Sequence, residues 1–428
     1  MEVISIIIFI AILIIALIDT HKAIIYFAPV SIMCQPYMCL RYESPAIALL
    51  FLSEFTLILL FLVKGGGKRI IKNKPEFPFR NAILAIFITY AIGIVVSPLS
   101  LGVTIPYVLS NVVAYIFIAV FFYELKTEKD LSRSLKGLLL VGCILCGYAI
   151  IEYLTQSNVF IERLFSELPI EKGWVYYSNE IRFGSIRCQS LMAICISWGG
   201  LCSLFLAMVL YFNKTQYSLL GSLTFIAVTV ILIALNFFSG TRSSLVFLAL
   251  VLVGWLLSYW KKPLIQLFFL LAVIIIVFIT GDAIFNEVIN SFTENSDVSG
   301  SSALQRQVQF ATAFNVISSS PLWGLGIKGV AAAQDIDFDV LGAESIWLQQ
   351  LINYGLIGVG VQLFVYYTAI KELLKESFSD KKALVVCIVL GWVFFCTMTS
   401  SPGLNEAYFL IIMTMILKAR QLAWKNLN

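Results

Sequence analysis

The sequence predicts an all-α, polytopic integral membrane protein, and three observations carry that prediction. Apolar runs of roughly 17–25 residues, each enough to cross ~30 Å of hydrocarbon as a helix, recur along the whole chain. Hydrophobic residues make up 60% of the 428 and charged residues only 13%, with a mean hydropathy of +0.93. A soluble domain carries nearly twice that share of charge. The breaks between the runs alternate between lysine-rich and lysine-poor, as loops on opposite membrane faces do.

The first run, Val3–Ile18, follows Met1-Glu2 directly. It lacks the basic n-region and small-residue cleavage site of a signal peptide and reads as a retained first helix. Further spans are predicted at 23–40, 44–63, 81–100, 103–123, 137–154, 190–212, 218–238, 244–260, 264–280, 344–370, 383–400 and 404–418, so that 12–13 transmembrane helices are expected. Pro29, Pro36 and Pro45 predict broken helices near the second span. The lysine-rich breaks are 64–80, 124–136, Lys261-Lys262, 371–382 and the tail from Lys418; the lysine-poor ones are 41–43, 155–189, 239–243, 281–343 and 401–403. Strict alternation puts 21 of the 29 Lys and Arg on the first side and 8 on the second. The first side is therefore cytoplasmic, and thirteen spans leave the N-terminus outside.

No internal repeat is visible, and 1–428 reads as a single transmembrane domain with large extracytoplasmic loops at 155–189 and 281–343. Within the second loop, Ala303–Ser318 reads as an amphipathic helix. Val308, Phe310, Ala311, Phe314 and Ile317 are its apolar residues, with Gln305, Arg306, Gln309 and Asn315 between them. Such a helix suits the surface of the outer leaflet.

Several functions are excluded or disfavoured. No basic face with an aromatic platform exists for nucleic acid. One histidine, His21, excludes a His-based zinc site, and neither a metal nor a cofactor is expected. Cys143 and Cys146 form a CxxC in mid-span, where small packing residues are the simpler reading; Cys188, Cys195 and Cys202, seven apart, share a helix face for the same purpose.

The informative residues are arginines on the face where positive charge is normally scarce. Arg182 and Arg187 bracket Gly184-Ser185 just before span 190–212, with Glu180 as a competing local partner. Arg242 follows Asn236-Phe-Phe-Ser-Gly-Thr at the outer end of span 218–238 and cannot move far from the membrane boundary. Ser239, Thr241, Ser243 and Ser244 supply hydroxyls there, and Gly240 allows close backbone approach. The competing reading is a snorkelling arginine. Arg306 sits near the start of the surface helix, where backbone N–H groups and the dipole favour an anion; a solvated arginine competes equally. A guanidinium is a planar, permanently charged fork suited to phosphate. These four residues read as holders of a lipid-linked diphosphate.

Glu344 opens span 344–370 and is the candidate base, able to take a proton from a sugar hydroxyl. Its rival role is a carboxylate favoured by a helix N-terminus. Asp335, Asp337 and Asp339 nearby suit a cation, a sugar or only solvent. Glu54, in mid-span, is the residue that most favours a transporter.

Three stretches resemble the O-antigen polymerase and O-antigen ligase superfamily of bacterial polysaccharide assembly. Arg182-Phe-Gly-Ser-Ile-Arg-Cys-Gln-Ser190 is similar to its arginine-and-glycine segment, and Ser239-Gly-Thr-Arg-Ser-Ser244 to its serine–arginine turn. The third runs from Arg306 through Ser320-Pro-Leu-Trp-Gly-Leu-Gly326 to Glu344 and on to Gly355-Leu-Ile-Gly358. Ligases of the superfamily carry a His-Asn pair where this chain has Glu344-Ser345, so the resemblance favours a polymerase.

It implies a GT-C-like fold in the bacterial inner membrane, without a cofactor or metal. It also implies polymerisation of undecaprenyl-diphosphate-linked repeat units of O-antigen or capsule type at the outer face. Membrane lipids, a chain-length regulator and a flippase are the implied partners. Arg182, Arg187 and Arg242 would bind diphosphate, with Arg306 and Glu344 catalytic. An O-antigen ligase acting on lipid A core, or a lipid-linked oligosaccharide flippase, are the alternatives.

Overall fold

The structure is a computed structural model that describes residues 1–42, 47–73, 77–167, 181–182, 185–213, 215, 217–218, 220–259, 303–336, 345–374, 381–397, 399 and 403–425. It is an all-α polytopic membrane protein. Helix α1 (Glu2–Ile18) crosses from one end of the bundle to the other. At its start Glu2 accepts from the Tyr42 N–H at 2.8 Å, and at its end Lys64 Nζ donates to the Leu17 carbonyl at 2.9 Å. The N-terminus thus lies at the lysine-poor end, as the alternation requires.

The second span departs from expectation. Helix α2 (Thr20–Val30) stops midway through the predicted 23–40, passes into a 3-10 turn at Ser31–Met33, and continues as extended chain. That chain reaches a short antiparallel pair, β1 (Cys39–Arg41) with β2 (Ile47–Ala48). Pro29 and Pro36 account for the break, since neither supplies an N–H. Backbone released inside a membrane must find partners within the protein. Ser31 Oγ donates to the Ala28 carbonyl, and Gln35 Nε2 to the Ile32 carbonyl and the Tyr408 hydroxyl.

The chain continues through α3 (Leu49–Val63), α4 (Gly66–Asn73), α5 (Arg80–Val96), α6 (Leu101–Glu124) and α7 (Glu128–Thr155). A capping box between Thr127 and Asp130 starts α7. Then come α8 (Val159–Glu167), the strand pair β3 (Ile181–Arg182) and β4 (Ser185–Ile186), α9 (Cys195–Phe212), α10 (Ser222–Phe238) and α11 (Arg242–Ser258). After the break in the described residues come α12 (Ala303–Val316), α13 (Gly329–Ile336), α14 (Ile346–Leu374), α15 (Lys382–Thr397) and α16 (Gly403–Lys425). Helices α6, α7, α9 and α14 are long and apolar enough to span a membrane. The predicted span 264–280 lies outside the described residues, as do large parts of both long loops.

Helix α9 is the axis: every residue from Ser197 to Phe212 is buried. Around it, outward apolar residues such as Ile7, Leu140 and Leu223 stay exposed, as lipid-facing residues should. Glycines set the closest approaches. A Cβ added at Gly391 of α15 would lie 2.3 Å from the Phe247 ring of α11, and one at Gly200 of α9 2.6 Å from Phe395. Small residues at crossings substitute for the hydrophobic drive that lipid cannot supply.

The span predicted as 344–370 is not one straight helix. Gly355 interrupts α14 with φ 62° and ψ −157°. Trp347 and Tyr366 then meet edge-on, their ring centroids 5.8 Å apart. In an unbroken helix nineteen residues would separate them by about 28 Å, so the arm before Gly355 folds back along the arm after it.

The segment Pro321–Gly326 fills this break. Leu356 and Ile357 N–H donate to the carbonyls of Pro321 and Leu322 at 3.0 and 3.2 Å, and Leu325 N–H donates to Ile352 O at 2.8 Å. These are the backbone groups that a helix end leaves unpaired. The approach leaves no room for side chains: a Cβ at Gly355 would lie 2.4 Å from Leu322 C, and one at Gly324 2.5 Å from Ile352 O.

Helix α12 forms where a helix is expected at 303–318, ending at Val316 two residues early, but a different face is buried. Gln309, Thr312, Ala313 and Ile317 point inward, whereas Val308 and Phe314 are exposed. Cys188 is buried with Cys195 and Cys202 but precedes the helix, so the three do not share a helical face.

Candidate active site at the lysine-poor end

Three of the predicted arginines come together at one turn. Residues Ser239–Thr241 join α10 to α11, and Arg242 is the first residue of α11. Arg182 Nη1 donates to the Gly240 carbonyl at 3.1 Å and Arg187 Nε to the Ser239 carbonyl at 3.4 Å. Gly240 adopts φ +60°, and a Cβ there would meet Arg182 Cβ and Arg187 Cγ, both at 3.1 Å. Glycine is needed for the backbone conformation and for the space. The two arginines of the 182–187 segment therefore lie on the turn that starts α11, where a helix N-terminus adds its own positive potential.

A polar knot inside the bundle fixes the turn. Asn236 Nδ2 donates to the Gly199 carbonyl and to Ser203 Oγ, both at 2.8 Å. Ser239 Oγ donates to the Asn236 carbonyl and Ser244 Oγ to the Thr241 carbonyl. Gly199 has no Cβ because one would sit 2.5 Å from Ser244 Oγ and 2.6 Å from Ser239 Oγ. The hydroxyls of Ser239 and Ser244, expected to face an anion, are instead turned into the protein. Ser243 Oγ is buried with no hydrogen-bond partner among the described residues.

The segment carrying Arg187 is held from behind by Glu152, a residue outside the predicted site. Its carboxylate, 1% exposed in the last turns of α7, accepts the Gln189 N–H at 3.1 Å, the Ser190 N–H at 2.7 Å and Asn158 Nδ2 at 2.9 Å. Consecutive N–H groups converging on one anion form a nest, and Glu152 fills it. Ser190 sits in the left-handed region with φ 55°. Its hydroxyl donates to the Leu145 carbonyl and its own carbonyl accepts from Asn158. Such a conformation persists where its surroundings over-determine it. An acidic residue in the closing turn of a predicted span was the available signal.

A second buried acid also lies outside the predicted site. Glu406, in the first turns of α16, accepts Gln362 Nε2 at 2.6 Å and the Tyr115 hydroxyl at 3.2 Å. Gln362 also donates to the Tyr366 hydroxyl, whose ring packs on Trp347. Trp347, on the arm before Gly355, is thus linked through Tyr366 and Gln362 to Glu406.

Of the other predicted site residues, Arg306 falls in the first turns of α12, and its side chain lies outside the described residues. Glu344 lies outside them entirely, with Glu180, Asp337 and Asp339. Glu54 is buried in α3. His21 is far from the arginine turn. It pairs with Glu124 at the end of α6 and with Asp130 at the start of α7, whereas Glu152 lies twenty-two residues, about 33 Å, further along that helix.

Residues 227–363 match the family model described as O-antigen ligase. The matched segment runs from α10 through the arginine turn to the broken helix α14, and over that segment the chain is similar to the O-antigen ligase family. A search of curated proteins returned no match. The family suggests a membrane glycosyl-transfer enzyme of ligase or polymerase type.

Proposed function

We propose that the protein is a polysaccharide polymerase. It would join undecaprenyl-diphosphate-linked repeat units at the outer face of the bacterial inner membrane. The observation that carries this reading is the meeting of Arg182 and Arg187 with the turn that begins α11 at Arg242, at the lysine-poor end. In the reaction, an acceptor sugar hydroxyl attacks the anomeric carbon of the donor glycan. The carbon–oxygen bond to the diphosphate breaks, and the lipid diphosphate leaves with the bonding pair. Guanidinium groups and helix N–H groups offset the charge gathering on that leaving group, and Glu344 takes the hydroxyl proton. Arg306 assists at the reacting centre.

The ligase reading has one specific observation in its favour, the family's own description. Against it, the chain's single histidine is tied to Glu124 and Asp130 at the opposite end. Purified protein given lipid-linked repeats should produce a ladder of longer glycans, and Arg242→Ala should abolish it. A ladder unchanged by Arg242→Ala removes the site assignment. Glycan transfer to lipid A core with no chain extension replaces the polymerase by the ligase.

A further inference from the structure

Below the arginine turn, an apolar groove of about 290 Å³ opens between α7, α9 and α10. Cys143, Gly147 and Ile150 of α7, Phe205 of α9, and Val228 and Ile231 of α10 line it. Cys143, Gly147 and Ile150 are exposed, so the groove faces the bilayer. The CxxC pair, expected to be packing residues, forms part of its wall. Along α10 the lining runs from Thr224 to Leu232, about 12 Å of helix, and Leu220 extends it just before the helix begins.

The groove and the arginine turn share helices. One turn above Ile150, Tyr153 of α7 stacks on Phe238 of α10 with ring centroids 3.9 Å apart. The next residue after Phe238 is Ser239, whose carbonyl accepts from Arg187. Proceeding along α10 towards the lysine-poor end, the order is apolar groove, aromatic pair, cationic turn. That order matches a lipid with a long hydrocarbon tail and an anionic head.

We propose that this groove seats isoprenoid units beyond the first two of the lipid-diphosphate substrate, with the head at Arg182, Arg187 and Arg242; this rests on the diphosphate reading of that turn. The remainder of the tail passes into the bilayer through the groove's exposed side. An ordinary phospholipid chain could fill the same apolar wall, but its single phosphate lacks the charge that three arginines favour.

Gly147 supplies the test. A Cβ added there meets nothing within 4 Å, so Gly147→Phe projects into the groove without a backbone clash; Cys143→Phe fills it from the next turn. Binding of undecaprenyl diphosphate, geranyl diphosphate and phosphatidylglycerol is measured on full-length protein in detergent by native mass spectrometry, with Arg242→Gln as the head-group control. Both groove variants are expected to weaken undecaprenyl diphosphate at least about tenfold and to leave geranyl diphosphate within about twofold. Arg242→Gln weakens both diphosphates. Undiminished undecaprenyl diphosphate binding in both groove variants overturns the groove assignment and leaves the arginine turn standing. Equal binding of phosphatidylglycerol and undecaprenyl diphosphate by the wild type overturns it in favour of ordinary lipid. Diphosphate binding insensitive to Arg242→Gln overturns the head-group reading itself.

Discussion

The two ends of α7 handle charge in opposite ways. At the lysine-rich end, side chain answers side chain. Glu124 meets His21, Lys126 at 2.9 Å and Arg69 at 3.7 Å, while Asp130 meets His21 and Arg133, each within 3.4 Å. At the lysine-poor end, Arg182 and Arg187 donate to main-chain carbonyls of a glycine turn, and the acid Glu152 is spent on backbone N–H groups behind them. The first arrangement neutralises charge locally and anchors loops. The second positions cations without placing Glu152 among them, and that suits a site that must receive an anion.

Arginine removal should separate the two ends most sharply. Arg187→Ala or Arg242→Ala is expected to cut glycan extension by about 10²–10³-fold, the scale of losing one preorganised charge-stabilising donor. Arg133→Ala at the other end should leave the rate within about twofold, since partly exposed pairs contribute little. Equal losses at both ends, in a timed extension assay with matched protein amounts, would erase the distinction.

Glu152→Gln sharpens it next. The substitution keeps the shape but sets an NH₂ group or a weaker acceptor against the N–H groups of Gln189 and Ser190, at about 1–3 kcal/mol. Extension should fall about tenfold, with weakened diphosphate affinity, and Glu152→Asp should restore part of it. A melting shift with unaltered affinity would make Glu152 a structural residue only. Gly240→Ala follows, with about 1–2 kcal/mol of backbone strain and displacement of both arginines, read as a rise in the dissociation constant for pyrophosphate.

The smallest effect belongs to pH at the opposite end. The hydrogen bond to Glu124, opposed by burial and aided by Asp130, raises the His21 pKa above its ordinary 6.5. A raised folded-state value stabilises below the unfolded value and loses that contribution as pH rises through the folded one. Melting temperature should therefore decline modestly above pH 6.5, and His21→Asn should flatten the decline. A decline that persists in His21→Asn assigns it to another group.

The sequence made the arginines legible because they violate a charge bias that needs no three-dimensional knowledge. Arg182, Arg187 and Arg242 stand out on a side poor in positive charge, and the structure brings them to one turn. Glu152 was hidden because a carboxylate near the end of a span looks like an interfacial residue until its N–H partners, almost forty positions away, are seen. The reversal at Gly355 was hidden for the same reason. Hydropathy runs smoothly across Ile346–Leu374, and only the distant Pro321–Gly326 segment supplies the carbonyls and N–H that tolerate a break there. The helical end of span 23–40 was foreshadowed by its prolines, because a missing donor is a local property.

Equilibrium binding of undecaprenyl diphosphate to Arg242→Gln and to Arg133→Gln, side by side, tests the contrast between the two ends most directly. Each substitution removes one guanidinium at opposite termini of the same bundle. We expect a loss of about tenfold or more in affinity for Arg242→Gln and none for Arg133→Gln. Unchanged affinity in Arg242→Gln, or an equal loss in both, contradicts the account.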